Sequence, residues 1–279
     1  MREATAINPF TDFGFKKLFG EEGSKDILID FLNAVLKRPY DIKKITFQNN
    51  EKHGDVYRER KVIYDIYCTD ESGAQFIVEM QNAKQTYFKD RTIFYSTFPI
   101  REQAEKGDWN FKLKPVYCIG LLGFDIEKSD DKYLYEAKLK DQYNEVFYDK
   151  LTFIYIELPK FKVEEDKLET NVEKWLYFLK YLEDFNELPN ILNQPIFQKA
   201  FDRAKEVNLT PEEKDDYEES LKSYRDNINV IDTAREEGIQ KGREEEKIKI
   251  AKNLLDVLEN DVIALKTGLA IEAIEILRK

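Results

Sequence analysis

Asp65, Glu79 and Gln81 are the residues of this chain whose types and spacing could do chemistry. They lie in Lys61-Val-Ile-Tyr-Asp-Ile-Tyr-Cys-Thr-Asp-Glu-Ser-Gly-Ala-Gln-Phe-Ile-Val-Glu-Met-Gln81. Both arms are rich in β-branched and aromatic residues, and Asp70-Glu-Ser-Gly73 is a turn signal between them, so the segment reads as a β-hairpin. With Asp65 opposite Glu79, the pairs Tyr64–Met80, Ile66–Val78 and Cys68–Phe76 make an apolar face. Ile63–Gln81, Asp65–Glu79 and Tyr67–Ile77 make the other. A one-residue slip would mix the faces, so burial favours this register. Opposed Cβ atoms lie about 5 Å apart. Two carboxylates that close repel unless a cation or a proton sits between them. Mg²⁺ suits such a pair, because it takes one or two carboxylates and keeps several waters.

The rest of the chain must position that hairpin. Its 279 residues, 42% hydrophobic and 13% aromatic, suffice for one large domain or two small ones with a sizeable core. No apolar run reaches the ~18 residues of a membrane helix, and Met1 to Pro9 lacks the apolar stretch of a signal peptide. Two cysteines, Cys68 and Cys118, fall in expected buried strands, which argues against a disulfide framework and fits a cytoplasmic location. A single histidine, His53, excludes histidine-rich metal sites. The net charge of −11 argues against non-specific nucleic-acid binding by the whole surface, though not against a local basic groove.

Thr11 or Asp12 caps a helix carrying Phe15, Leu18 and Phe19 on one side. Ile27, Leu28, Phe31, Leu32, Val35 and Leu36 mark a second, amphipathic helix, and residues 42–49 a first strand. Residues 84 to about 106 read as a long helix, kinked at Pro99 and ended at Gly107. Residues 115–122 are nearly all apolar, as in a strand buried on both faces. Residues 151–158 form a further strand, and the polar run 125–150 reads as extended or loop. After Pro159 helical spacing takes over, with Trp175, Phe178, Leu179 and Leu182 on one helix and Phe197, Phe201 and Ala204 on another. We place a domain boundary near 160: residues 1–160 as an α/β domain and 161–279 as a helical C-terminal region. Gly238 and Gly242 weaken helicity in the charged stretch from 212 to about 259.

With these residues in place, the chain resembles the Rpn family of recombination-promoting nucleases, or transposase-like proteins, of the PD-(D/E)XK nuclease superfamily. The likeness is carried by Thr11-Asp-Phe-Gly-Phe-Lys-Lys-Leu-Phe19, Asp30-Phe-Leu-Asn33, Tyr64-Asp65-Ile66, Val78-Glu-Met-Gln81, Arg91-Thr-Ile-Phe-Tyr95, Pro115-Val-Tyr-Cys-Ile119 and Glu237-Gly-Ile-Gln-Lys-Gly242. The Asp…Glu-x-Gln motif alone is weak; the ordered set is specific. The resemblance implies a restriction-endonuclease-like core, a mixed β-sheet flanked by helices. It implies that Asp65 and Glu79, with the Met80 carbonyl, hold Mg²⁺ or Mn²⁺, and that the catalytic set is Asp65, Glu79 and Gln81. Gln81 stands where the superfamily signature has lysine; it can orient a water and donate a hydrogen bond but brings no charge.

The function so implied is metal-dependent DNA endonuclease activity in recombination or mobile-element processes. Lys61, Lys84, Lys89 and Arg91 flank the motif and could contact phosphates. Arg91 and Tyr95 share a helix face and could line a cleft, with Asp12 and Lys16 from the opening motif. The helices at 248–255 and 262–277 resemble the helix-turn-helix-like tail of relatives. They are poorly basic on the recognition surface, so homo-oligomerisation through the C-terminal helices is the expectation there. The alternative reading is a non-catalytic DNA- or protein-binding module on the same fold.

Overall fold

The computed structural model describes residues 5–52, 62–126 and 131–278. Lys61 and His53 lie outside the described residues. The chain forms two compact units, Met1–Tyr224 and Arg225–Lys279.

The first unit opens with α1 (Asp12–Phe19), capped by the Thr11 hydroxyl, which accepts from the Gly14 N–H at 2.9 Å. α2 (Lys25–Val35) follows, burying Ile27, Leu28, Phe31, Leu32 and Val35. Strands β1 (Ile45–Phe47), β2 (Glu51–Lys52), β3 (Val62–Ile63), β4 (Ile66–Asp70) and β5 (Gln75–Gln81) lead to α3 (Phe88–Arg101). Then come β6 (Val116–Leu122), β7 (Leu134–Lys140) and β8 (Val146–Glu157), and helices α4 (Asn171–Tyr181) and α5 (Pro195–Ala204). The main sheet runs β1-β4-β5-β6-β8-β7, with β5, β6 and β8 parallel and the outer strands antiparallel. β6 is central, and all but one of its residues are buried, as its unbroken apolar run predicts.

One sheet face carries Phe76, Val78, Ile119, Leu121, Ile154 and Ile156, which share a single core with α1, α2, α4 and α5. Trp175 of α4 sits at its centre against Phe19, Phe31 and Phe197, with its indole N–H donated to Asp30 at 2.7 Å. The pattern change near 160 is therefore a change from strands to helices within one core, and packing divides the chain after Tyr224 instead. Residues 125–150, expected as extended or loop, contain in their described part β7 and the first residues of β8, turning through Asn144 at φ 69°. Polar residues there hid the strands, because the strands are largely exposed.

The hairpin register is as expected from Ile66–Val78 to Cys68–Phe76. The Asp70–Gly73 turn closes it with Gly73 at φ 84°, a conformation glycine adopts without strain. The first arm, however, breaks at Tyr64–Asp65. β3 leaves the sheet and pairs with β2 in a separate two-stranded sheet. Asn50 holds the break, its carbonyl accepting from the Tyr64 N–H at 3.0 Å and its side-chain amide donating to the Asp65 carbonyl at 2.9 Å. The break changes the alternation. Tyr64 lies not with Ile66 and Met80 but on the opposite face, against Tyr67 and Tyr95 beneath α3, and Ile63 is half exposed.

α3 covers that second face. Pro99 lies in its last turn and supplies no N–H to the carbonyl four residues back, which is that of Tyr95. The buried Tyr64 hydroxyl donates to that carbonyl at 2.8 Å, so the broken hairpin and the proline satisfy one another.

The second unit holds the end of α6 (Pro211–Leu254), which runs on through Gly238 and Gly242, and α7 (Asn260–Thr267) and α8 (Ile271–Arg278). These pack around Ala251, Ile263 and Ile274. Gly268, at φ 71°, turns α7 into α8. Among the described residues no helix is long and apolar enough to cross a membrane, and Cys68 and Cys118 are free and buried.

Candidate active site

Because Asp65 has left the sheet, its carboxylate takes the place of a ladder partner. Its Oδ2 accepts from the Met80 N–H at 2.8 Å, while the Asp65 N–H points to Glu79 Oε1 at 3.4 Å. Glu79 stands on the face beneath α3, where it pairs in register with Gly120 of β6, which in turn pairs with Tyr155 of β8. A Cβ on Gly120 would meet the Tyr155 ring at 3.3 Å, so glycine here keeps a small cavity open beside Glu79. Gln81, Arg91, Tyr95 and Cys118 also line that cavity. The Tyr155 and Thr92 hydroxyls are hydrogen-bonded at 2.8 Å and fix α3 over the sheet.

The electrostatics are those of an unbalanced acidic pair. Burial pushes the Glu79 carboxyl up to about 8, the Asp65 charge adds to this, and Arg91 opposes both. Burial also raises Asp65, against the Met80 N–H bond; Asp12 acts with burial, and Lys16 and Arg91 against it. Arg91 reaches Glu79 Oε2 only at 3.5 Å. It is oriented by the Gln85 side-chain oxygen at 2.8 Å and lies 5.0 Å above the Tyr95 ring.

Asp65, Glu79, Gln81, Arg91 and Tyr95 are thus brought together. Asp12 and Lys16 form an ion pair at 2.8 Å, and their charges reach Asp65 from α1. That helix is anchored by Asn82, just past β5, whose amide donates to the Phe10 carbonyl at 2.7 Å. Lys84 instead donates to the carbonyls of Asp125 and Ile126, both at 2.9 Å, so its ammonium is engaged at a neighbouring loop. Lys89 is exposed on α3. Sequence reasoning missed the Arg91–Glu79 pairing and the roles of Gly120, Tyr155 and Asn82. A lone glycine in an apolar strand was the available signal for the first of these last three.

The donors present fit a hard divalent ion: two adjoining carboxylates, with backbone carbonyl and water left to complete the shell. Among the described residues no cluster of three or more His, Cys, Asp or Glu side chains exists for such a purpose.

A mixed sheet flanked by helices, with an acidic pair at the open end of the β4–β5 hairpin, defines the class as an α/β, restriction-endonuclease-like nuclease fold. The chain belongs to the PD-(D/E)XK nuclease family transposases, whose family model matches residues 9–234. Searches of curated proteins and of solved structures return no match. The family supports a nuclease or transposase-related role with DNA as substrate, and its nucleases generally use divalent metal ions.

Proposed function

We propose that the protein is a metal-dependent DNA endonuclease that hydrolyses phosphodiester bonds in recombination or mobile-element processes. The observation that carries this is the pair Asp65–Glu79, two adjoining carboxyls held mostly out of water and both raised in pKa. Such an arrangement costs stability, and perturbed acids of this kind cluster at functional sites.

Asp65 and Glu79, with the Met80 carbonyl, would hold Mg²⁺ or Mn²⁺. When bound, such an ion supplies Lewis-acid stabilisation of the phosphate and lowers the pKa of a water. Gln81, lining the same cavity, orients the attacking water through its amide. Arg91, freed from Glu79, turns its guanidinium to the phosphate, a group its planar fork matches. Lys16 and Asp12 set the charge at the mouth of the site. Lys61 and Lys89 supply further phosphate contacts along the strand; Lys84 does so only by giving up its carbonyl partners. Purified protein with plasmid DNA and Mg²⁺ or Mn²⁺ tests the reading: wild type nicks and Asp65→Ala and Glu79→Ala do not. Equal nicking by all three overturns it.

A further inference from the structure

Beside the cavity at Glu79 lies a larger open cleft, of which the proposed reaction uses only Arg91. It measures about 690 Å³, within the roughly 300–1,000 Å³ of small-molecule sites. Arg91 and Tyr95 line both this cleft and the cavity at Glu79, so the two adjoin. Its other walls include Tyr87 and Phe94, 73% and 46% exposed, together with Gln85 and Asp90. Large aromatic side chains left open to solvent beside a guanidinium are poor core and good stacking platforms.

The charges point the same way. The protein carries a net charge of −11, Lys84 is bound to backbone carbonyls, Arg91 faces Glu79, and Asp90 sits in the cleft itself. Within the cleft, attraction to a phosphate backbone is therefore weak, whereas stacking a base on an aromatic ring needs no net charge. A base in an intact duplex is already stacked and paired and cannot enter a cleft without being extruded.

We propose that this cleft receives an unpaired nucleobase, stacked on Tyr87 and Phe94, and that the substrate class of the enzyme is single-stranded DNA, or DNA with unpaired bases, in preference to intact duplex. The inference rests on the nuclease reading for its substrate, but its test does not. Binding of a labelled single strand carrying 2-aminopurine is followed by anisotropy and quenching in EDTA, where no cleavage occurs. Wild type binds the single strand more tightly than the duplex of the same sequence and quenches the probe. Tyr87→Ala with Phe94→Ala loses about ten-fold or more in single-strand affinity, loses the quenching, and keeps its duplex affinity; both side chains are solvent-exposed, and a melting curve verifies folding. Equal affinity for single strand and duplex, or an unchanged double variant, overturns the proposal. If wild type cleaves both forms equally and the double variant matches it, the nuclease reading stands and this inference falls. If nothing is cleaved but the aromatic-dependent binding persists, the reverse holds.

Discussion

The two ends of the β4–β5 hairpin each carry a carboxylate facing an arginine, and they behave oppositely. At the turn, Asp70 meets Arg38 at 2.8 Å and also accepts from Ser72 and from the Ala74 N–H. Burial pushes its pKa up, but the Ser72 hydroxyl and Arg38 outweigh it, and the carboxyl ends below its ordinary value. Arg38 itself lies about 5.4 Å from both the Phe76 and Tyr117 rings. At the open end, Glu79 has a longer contact to Arg91 and a second acid as its neighbour, and its carboxyl is raised. The same chemistry, with its carboxylate hydrogen-bonded and paired at 2.8 Å, closes a turn; left short of positive charge, it makes a site that favours an incoming cation.

This contrast can be broken at either end. Arg38→Ala leaves Asp70, whose side chain is 2% exposed, without its cation; urea denaturation should show a loss of about 3–5 kcal/mol. Cleavage per folded molecule stays unchanged. Asp65→Ala should instead stay folded and lose DNA nicking by at least about a hundred-fold, the upper end of what losing even an outer-shell partner of a metal ligand costs. A variant at either position with the opposite profile would merge the two ends into one kind of feature.

Gly120→Ala sharpens the comparison from the neighbouring strand. The new methyl crowds Tyr155 and should cost about 1–3 kcal/mol by overpacking, read in the same denaturation assay, with cleavage falling as α3 is displaced. An unaffected enzyme would show that the cavity beside Glu79 has no part in the reaction.

Stability also depends on pH. The folded Glu79 carboxyl titrates at about 8, above an unfolded value of roughly 4.3. Between the two the folded state keeps a proton that the unfolded chain has lost, so the metal-free protein loses stability as pH rises across this window and levels off above it. Asp65, also raised, adds in the same sense. Glu79→Gln stays neutral and lacks its share of the fall. Denaturation of both proteins at the bottom and top of the window checks this; parallel curves would place Glu79 in water.

Much of this was legible because burial on one side imposes a period. The register from Ile66–Val78 to Cys68–Phe76 and the doubly buried β6 follow from alternation and from its absence. The break at Tyr64 was not legible, because it depends on Asn50 capturing the backbone from outside the hairpin and on Pro99 leaving a carbonyl open on α3. The edge strand β7 and the first residues of β8 escaped notice because largely exposed strand residues carry no hydrophobic period. Trp175 and Phe197 read as a separate helical region, since nothing local says that a helix packs on a sheet far back in the chain. Asp65 and Glu79 were singled out by residue type and an expected register that stops short of Asp65, and Arg91 by its place in the family pattern. Its approach to Glu79 is a fact of tertiary packing.

The central claim is that Asp65 and Glu79 together favour a divalent cation over their long contact with Arg91, and a thermal titration with Mn²⁺ tests it most directly. An ion that binds only the folded state raises the melting temperature with concentration. Wild type should therefore melt progressively higher as Mn²⁺ is added, while Asp65→Ala and Glu79→Ala stay flat. A wild-type curve as flat as the variants', or an equal rise in all three, would contradict the account.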